Sequence, residues 1–286
     1  MQTQLFIDGR FVPALSGETL ATLNPHDNSE IAQVSMAGRE DVDRAVEAAK
    51  KAFPKWSSMA AADRGRLLLK LADAIEANAD ALARLESMDT GHPIRDTLNL
   101  DVPRTAATFR YFGGMADKFE GSVIPVEAGF LNYLTREPVG IVGQVVPWNF
   151  PLMFTSWKMA PALAAGNCVV MKPAELTPLS SLAIAELMAE VGFPAGVVNV
   201  LPGLGHVAGQ YIAEHPEIGK VAFTGSTAVG RKIVQASSGN LKKVQLELGG
   251  RARVSCSATP ISMPSCRAPR SASSITRDRR ASRHRA

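Results

Sequence analysis

The stretch VGIVGQVVPWNFPLMFTSWKMAPALAAGNCVVMKPAE, residues 139–175, decides the fold. Its apolar, β-branched runs predict two buried parallel strands, at 141–146 and 168–172, joined by a helix. Pro147 ends the first strand, and the turn that follows carries Asn149. Open α/β sheets bind ligands at the carboxyl ends of their strands, so this turn is predicted to lie at the functional edge.

The same alternation of strand and helix continues to residue 247. Such alternation predicts the α/β class, as a doubly wound parallel sheet with helices on both faces. The predicted strands are 141–146, 168–172, 197–201, 220–223 and 243–247, and the predicted helices are 152–165, 178–191, 206–214 and 226–238.

The region before this sheet is predicted to be a mainly helical cover. A hairpin is expected at 5–12, turning at Asp8-Gly9, and a short strand at 31–35. The amphipathic periodicity predicts helices at 41–53, 61–77, 79–89 and 102–119, the last broken near Gly113-Gly114.

Two histidines of this region, His26 and His92, lie beside turn residues. We interpret both as surface residues and predict no metal site, because no Cys, His or carboxylate partner stands at metal-ligand spacing.

Residues 122–138 break the helical pattern and alternate as a protruding hairpin does, with a turn near Ala128-Gly129. The predicted organisation is therefore a helical part at 1–121, a hairpin at 122–138, a dinucleotide-binding α/β core at 139–250 and a separate tail at 251–286.

Charge is unevenly distributed along the 286 residues. The tail, 251–286, holds nine Arg and one Asp, a net of +8, whereas the rest holds 22 basic and 26 acidic residues, a net of −4. The overall pI near 9.0 therefore belongs to the tail. The tail has no aromatic residues between its arginines on which bases could stack. We therefore interpret it as disordered rather than as a nucleic-acid site.

Other classes of protein are disfavoured by composition. Three Cys in 286 residues argue against a disulfide scaffold and favour a reducing compartment. The first residues show no signal-peptide pattern, and no apolar run is long enough for a membrane helix. The expected location is cytoplasmic, with no membrane partner.

A candidate phosphate site follows the fourth predicted strand. FTGSTAVG, residues 223–230, opens a helix at Gly225 and Ser226, where free N–H groups and the helix dipole favour an anion. Gly230 would allow close packing of that helix. The segment is neither a Walker A loop nor a G-x-G-x-x-G fingerprint, so the motif alone is weak evidence.

Four blocks together resemble the aldehyde dehydrogenase superfamily: PWNFP at 147–151, KPAE at 172–175, FTGSTAVG at 223–230 and LELGG at 246–250. The resemblance runs in order from about Leu5 to Gly250. It implies a variant Rossmann fold, binding of NAD, and oxidation of a small aldehyde to a carboxylic acid by a homo-oligomer in which the 122–138 hairpin pairs subunits. The alternative for that hairpin is packing on its own domain.

The resemblance also implies roles for individual residues. Asn149 would be the oxyanion donor and Glu247 the general base, with burial raising the pKa of Glu247; the alternatives are a helix cap and an ordinary strand residue. Lys172 and Glu175 would hold the adenosine ribose, and a carboxylate there favours NAD over NADP. The full predicted cofactor set is Val146, Pro147, Trp148, Lys172, Glu175, Gly205, Phe223, Thr224, Gly225, Ser226, Val229 and Gly230.

The nucleophilic Cys that the family requires is not found. By the resemblance it is expected in a Gly-Gln-x-Cys context about thirty to thirty-five residues beyond the glutamate, whereas Cys256 and Cys266 stand only nine and nineteen residues beyond Glu247 and lack that context. Cys168, in an apolar strand, is interpreted as core. Residues 251–286 also cannot build the family's catalytic lobe.

A frameshift near Gly250 is our hypothesis for the tail. In a shifted frame, 259–264 are compatible with Asp-Ala-Asp-Leu-Asp-Ala, and 274–281 with Phe-Tyr-Asn-Gln-Gly-Gln-Ala-Cys. The chain as printed is then a truncated dehydrogenase without turnover. The alternatives are a dinucleotide-binding fragment without catalysis and a non-functional product.

Overall fold

The computed structural model describes residues 1–250. At its centre lie two strands, Ile141–Val145 and Cys168–Lys172, which are buried along their whole length. Their β-branched and apolar side chains suit a position between two helical layers. The strands are β1 (Leu5–Ile7), β2 (Arg10–Val12), β3 (Thr19–Leu23), β4 (Glu30–Ser35), β5 (Ser122–Ile124), β6 (Asn132–Leu134), β7 (Ile141–Val145), β8 (Cys168–Lys172), β9 (Val198–Val200), β10 (Lys220–Gly225) and β11 (Lys243–Leu248).

The helices surround this sheet. Short π-helical turns, at Thr97–Asp101 and Gly205–Gly209, lead into two of them. The helices are α1 (Arg39–Ser58), α2 (Ala61–Ala77), α3 (Ala79–Thr90), α4 (Ile94–Asp96), α5 (Val102–Met115), α6 (Pro151–Ala164), α7 (Leu179–Glu190), α8 (Gln210–Glu214) and α9 (Thr227–Ser237). No helix within residues 1–250 is both long and apolar enough to cross a membrane.

The central sheet has seven strands in the order β11-β10-β7-β8-β9-β1-β2. The five strands from β11 to β9 are parallel, as predicted, and β1 and β2 are antiparallel. The amino-terminal hairpin thus completes the sheet that residues 139–250 begin. The predicted division of the chain at 121, 138 and 250 stays a prediction.

Helices cover both faces of the sheet, as the doubly wound prediction requires. Helices α6 and α7 lie in the connections β7-α6-β8 and β8-α7-β9 and pack on β8 and β9, with α2, α3 and α5 outside them. After β9 the chain crosses back over the sheet, and β10 is added in parallel on the side of β7 opposite β8. Because the crossover connections are right-handed, this change in strand order puts α8 and α9 on the other face of the sheet, the face that carries α1.

The fourth long helix, predicted at 102–119 with a break near Gly113-Gly114, ends at Met115, just after these glycines. Helix α5 runs through Gly113 and Gly114 without interruption. A Cβ on Gly113 would lie 3.0 Å from the Gly65 carbonyl oxygen, and a Cβ on Gly65 would lie 2.5 Å from the Gly113 oxygen. Gly65 belongs to α2, so these glycines allow two helices to cross closely.

The hairpin predicted at 122–138 is formed by β5 and β6. It turns at Gly129, whose φ of 96° suits glycine. The hairpin is unusual because its large apolar side chains are exposed: Val123 and Leu131 are each 75% exposed, and Phe130 is 76% exposed. Several exposed, large apolar side chains on one hairpin are typical of a contact region.

Several predictions fall on residues 251–286, which lie outside the described residues. These include the interpretation of Cys256 and Cys266, the disorder of the tail and the shifted reading frame.

The packing of β7 makes a specific prediction about stability. A Cβ on Gly143 would lie 2.5 Å from Ile212 Cγ2 and 3.3 Å from Ile218 Cγ2, both in fully buried residues. We expect Gly143→Ala to lower the free energy of unfolding by about 1–3 kcal/mol, because the core must shift. Urea unfolding followed by circular dichroism measures this change.

Gly114→Ala in α5 is the matched control, because nothing lies within 4 Å of its added Cβ. Gly114 is the penultimate residue of α5, so alanine there should leave the free energy of unfolding unchanged or raise it by less than about 1 kcal/mol. Equal midpoints for the two variants would contradict the close packing of β7.

Candidate active site

A groove of about 500 Å³ lies at the carboxyl ends of β7, β10 and β11. Four parts of the chain form it: the turn after β7, one side of α6, the end of β10, and β11 with the residue that follows it. Its lining residues are Pro147, Asn149, Phe154, Trp157, Lys158, Thr224, Gly225, Gln245, Glu247, Leu248 and Gly249.

The turn that carries Asn149 is held from two sides. On one side, Thr177 Oγ1 donates a hydrogen bond of 3.2 Å to the Trp148 carbonyl oxygen. On the other, the Leu152 amide donates at 3.3 Å to Glu86 Oε1. These contacts fix the backbone on both sides of Asn149, whose half-buried side chain lines the groove.

Lys172, at the end of β8, is buried. Its Nζ donates hydrogen bonds of 3.0 Å to Glu175 Oε2 and to the Gly203 carbonyl oxygen. Burial lowers the pKa of Lys172, and the Glu175 carboxylate opposes this shift. The backbone of Gly209 lies against the Lys172 stem, since a Cβ there would be 3.4 Å from Cδ.

Helix α9 begins at the predicted phosphate loop. Ser226 is its N-cap, and its hydroxyl oxygen accepts a 3.3 Å hydrogen bond from the Val229 amide. A Cβ on Gly230 would lie 2.6 Å from Leu248 Cδ2, so glycine here lets α9 approach β11, as predicted. Thr224 Oγ1 is buried beside the groove without a hydrogen-bond partner among the described residues.

The described structure does not show the expected burial of Glu247. Its side chain is exposed on β11, which is an edge strand of the sheet. Gln245 and Glu247 share one face, as expected, and both line the groove. The prediction assumed that other residues would pack over the end of β11 before Gly249-Gly250. Among residues 1–250, nothing packs over Glu247 closely enough to bury it.

The structure also brings Lys158 to the groove, a residue that the sequence interpretation missed. It is buried on α6, which lowers its pKa, while the Glu247 carboxylate acts in the opposite direction. Its backbone oxygen accepts a 2.7 Å hydrogen bond from Gln144 Nε2 of β7. Phe154 and Lys158 are spaced i, i+4, so helical periodicity measured from the Asn149 turn would have found this face.

The predicted site residues fall into two groups. Pro147, Asn149, Thr224, Gly225 and Glu247 come together around the groove. The others do not line it, although they lie in the turns and at the strand ends of the same sheet or in the first turns of α9. They are Val146, Trp148, Lys172, Glu175, Gly205, Phe223, Ser226, Val229 and Gly230.

Cys168 does not contribute to the groove. It is a fully buried residue of β8, as predicted, and burial raises the pKa of its thiol to about 12. A thiol with this pKa is not a nucleophile near neutral pH, because the thiolate is the reactive form.

Behind the Asn149 turn lies a buried polar cluster that overturns the prediction for His92. His26 is exposed as predicted, but His92 is only 6% exposed, and its Nδ1 lies 2.8 Å from Asp101 Oδ2. Its ring packs edge-on against Phe150, with centroids 4.9 Å apart. Asp101 lies nine positions away in the π-helical turn, so no local spacing rule revealed the pair.

Glu86 completes this cluster. Burial raises its pKa to about 8; the neighbouring Asp101 and Asp89 carboxyls act in the same direction, whereas the Ser180 hydroxyl and the Leu152 amide oppose the shift. Its carboxyl is therefore protonated in the fold at pH values where it would be ionised in the unfolded chain.

Comparison with known proteins gives the same assignment as the motifs. The profile of the aldehyde dehydrogenase family matches residues 11–257. The chain belongs to the aldehyde dehydrogenase family. The match extends seven residues past Gly250, slightly beyond the end of the resemblance inferred from the motifs.

Relatives and solved structures agree with this membership. Human mitochondrial aldehyde dehydrogenase is 50% identical over 252 residues, which are 87% of this chain and 49% of that protein. PnpE from Pseudomonas sp. WBC-3, solved alone and in complex with nicotinamide adenine dinucleotide, is 69% identical with a TM-score of 0.87. The NAD+ complex of a Bacillus cereus aldehyde dehydrogenase is 48% identical with a TM-score of 0.86.

The aldehyde dehydrogenase chain described here spans about half the length of the curated relatives it matches. The two structural matches likewise cover 87% of this chain and 51% of each solved chain.

The environment of Glu86 predicts a pH dependence of stability. Its pKa rises from 4.5 to about 8 on folding, so the folded state holds the proton more tightly. The protonated Glu86 carboxyl therefore makes its full contribution to the free energy of unfolding below pH 4.5. This contribution decreases by at most about 1.4 kcal/mol per pH unit as the pH rises toward 8. Glu86→Gln keeps an acceptor for the Leu152 amide but cannot ionise.

We therefore expect wild type and Glu86→Gln to unfold at similar urea concentrations at pH 5, and the variant to be more stable at pH 8. Glu127→Gln, in the exposed hairpin, is the control and should follow wild type at both pH values. A constant difference between Glu86→Gln and wild type across this range would contradict the assignment.

Proposed function

We propose that this chain carries the NAD-binding half of an aldehyde dehydrogenase, an enzyme that oxidises an aldehyde to a carboxylic acid. The observation that carries the proposal is the convergence of Asn149, Glu247 and the start of α9 at one sheet edge, within a chain that matches the family over residues 11–257. Bound NAD would supply the hydride acceptor.

The residues at this edge fit a dinucleotide. Thr224 Oγ1 is a buried polar atom without a partner among residues 1–250, and the start of α9 offers amide groups to a phosphate. Lys172 and Glu175 would hold the adenosine ribose, with Val146, Pro147, Trp148, Gly205, Phe223, Gly225, Ser226, Val229 and Gly230 completing the site. A carboxylate at Glu175 favours a ribose hydroxyl over a 2′-phosphate, so we propose NAD rather than NADP.

Asn149 and Glu247 are the proposed chemical groups. The Asn149 amide would donate to the oxyanion that forms when an aldehyde is attacked, an interaction whose loss costs about 10²–10³ in kcat. Glu247 would take a proton from the hydrolytic water. The Glu247 carboxylate acts to raise the pKa of Lys158, and both residues line the groove, so we add Lys158 to the proposed site.

We further propose that the chain as printed does not turn over. Cys168 is excluded as nucleophile by its burial, and Cys256 and Cys266 lack the family's Gly-Gln-x-Cys context. A shifted reading frame after Gly250 would restore that context. A second candidate function is that of a dinucleotide-binding fragment without catalysis. A third possibility is a non-functional product that exposes the β11 edge of the sheet.

The exposed apolar side chains of the hairpin support a homo-oligomer. Phe130 and Leu131 would be buried by a second copy, which removes apolar surface from water. Analytical ultracentrifugation tests this, and a monomer at all concentrations would contradict it.

The proposed substrate is a small aldehyde. From composition we also propose a cytoplasmic location, with no membrane or nucleic-acid partner.

Titration of the purified chain with NAD and NADP tests the cofactor assignment. We expect NAD to bind more tightly, and Glu175→Gln to narrow the preference for NAD by about tenfold, or about 1.4 kcal/mol, because a neutral amide repels a 2′-phosphate less. Glu190→Gln, exposed at the end of α7, is the control and should preserve the ratio of Kd values. No binding of either nucleotide would contradict the proposal.

Sequencing of the gene across residues 247–286 tests the reading frame. We expect a frame correction near Gly250 to restore a Gly-Gln-Ala-Cys segment. The corrected protein should form NADH from acetaldehyde and NAD, whereas the chain as printed should form none. NADH formation by the printed chain would disprove its inactivity, and a confirmed printed frame would leave nucleotide binding as its proposed activity.

A further inference from the structure

The buried cluster behind the Asn149 turn contains three groups that can bind a metal. Glu86 lies on α3, His92 lies in the turn after α3, and Asp101 lies in the π-helical turn before α5. Their residues are 0%, 6% and 1% exposed. Each offers one ligand atom, and these three atoms all lie within 4.8 Å of one another.

The cluster leaves buried oxygen atoms unsatisfied. Glu86 Oε2 and Asp101 Oδ1 have no hydrogen-bond partner within the described part of the chain. Buried polar atoms without partners are costly, and a small cation between the two carboxyl groups would satisfy them.

The local backbone orients the histidine. The Ser87 hydroxyl donates at 2.6 Å to the His92 carbonyl oxygen, and the His92 amide donates at 3.0 Å to Thr90 Oγ1. Gly91, with a φ of 79°, ends α3 and directs the chain back over the cluster. Glu86 is oriented too, because its Oε1 accepts from the Leu152 amide. Such outer contacts hold metal ligands in place.

The donor set selects the class of metal. One imidazole nitrogen and two carboxylate oxygens suit zinc and neighbouring first-row metals, whereas magnesium and calcium prefer oxygen ligands alone. We propose that Glu86, His92 and Asp101 bind one divalent transition-metal ion, such as Zn²⁺. The proposal does not rest on the proposed dehydrogenase activity.

A metal here would join two parts of the fold. Glu86 contacts the start of α6 through Leu152, and the His92 ring packs on Phe150. Both contacts reach the turn that carries Asn149. The ion would therefore stabilise this turn from behind, as a structural site, and it would not line the groove.

Co²⁺ is a suitable probe because its visible absorption reports coordination. The experiment uses the full chain in a Cys256→Ser/Cys266→Ser background, which removes the two tail thiols as ligands. After treatment with a chelator and loading with Co²⁺, we expect one ion per chain by mass spectrometry after desalting, with visible absorption and no thiolate charge-transfer band.

Asp101→Asn and His92→Ala should each lose the ion and its absorption, whereas His26→Ala, which removes an exposed histidine outside the cluster, should keep both. At a hundredfold excess of Zn²⁺ over Kd, Tm should rise by roughly 5–10 °C in the parent and not in Asp101→Asn. Circular dichroism verifies folding of each variant, and Glu86→Gln provides a second near-isosteric test.

Two results would overturn the proposal. One is a folded parent protein that retains no Co²⁺ or Zn²⁺, which would leave the His92–Asp101 contact as an ion pair or hydrogen bond alone. The other is metal that survives in folded Asp101→Asn, Glu86→Gln and His92→Ala variants.

Discussion

The structure depends on the complete burial of two adjacent parallel strands, β7 and β8. Each backbone N–H and C=O in this layer must find a partner, which the parallel ladder supplies. The register pairs Val145 with Lys172, so the two strands end side by side. The turn with Asn149 and the turn with Glu175 consequently leave the sheet at one edge, and the proposed ligand contacts of these two turns follow from that alignment.

Close backbone approach is the second constraint on the architecture. Gly143 lets α8 pack on β7, Gly230 lets α9 pack on β11, and Gly65 with Gly113 lets α2 cross α5. In each case a methyl group would meet a neighbouring atom at 3.0 Å or less. These glycines therefore set distances between layers, and none of the four is needed for a positive φ.

Buried charge is concentrated where the turns leave the sheet. Lys172 is compensated by Glu175 and a backbone oxygen, whereas Glu86 Oε2 and Asp101 Oδ1 have no hydrogen-bond partner among residues 1–250. Burial of charge without compensation is costly, so such groups persist where they hold a turn or a ligand. Here the cluster supports the backbone beside Asn149 from the side opposite the groove.

The sequence by itself determined the sheet class, the strand positions from 141 to 248 within a few residues, and the family. Those features depend on periodicity and on motifs in which neighbouring residues act together, such as PWNFP and LELGG. The β8 strand was predicted at its observed bounds because its whole length is apolar up to Lys172.

Only the tertiary structure decided the contacts between distant segments. It showed that the amino-terminal hairpin completes the sheet, that α5 is continuous, that His92 and Lys172 are buried, that Lys158 faces the groove and that Glu247 is exposed. Burial and pairing are set by what the fold packs over a residue, and that neighbour usually lies far away in the chain. Local sequence patterns predict helices and strands. The burial, protonation and contacts of each side chain depend on how these helices and strands pack together.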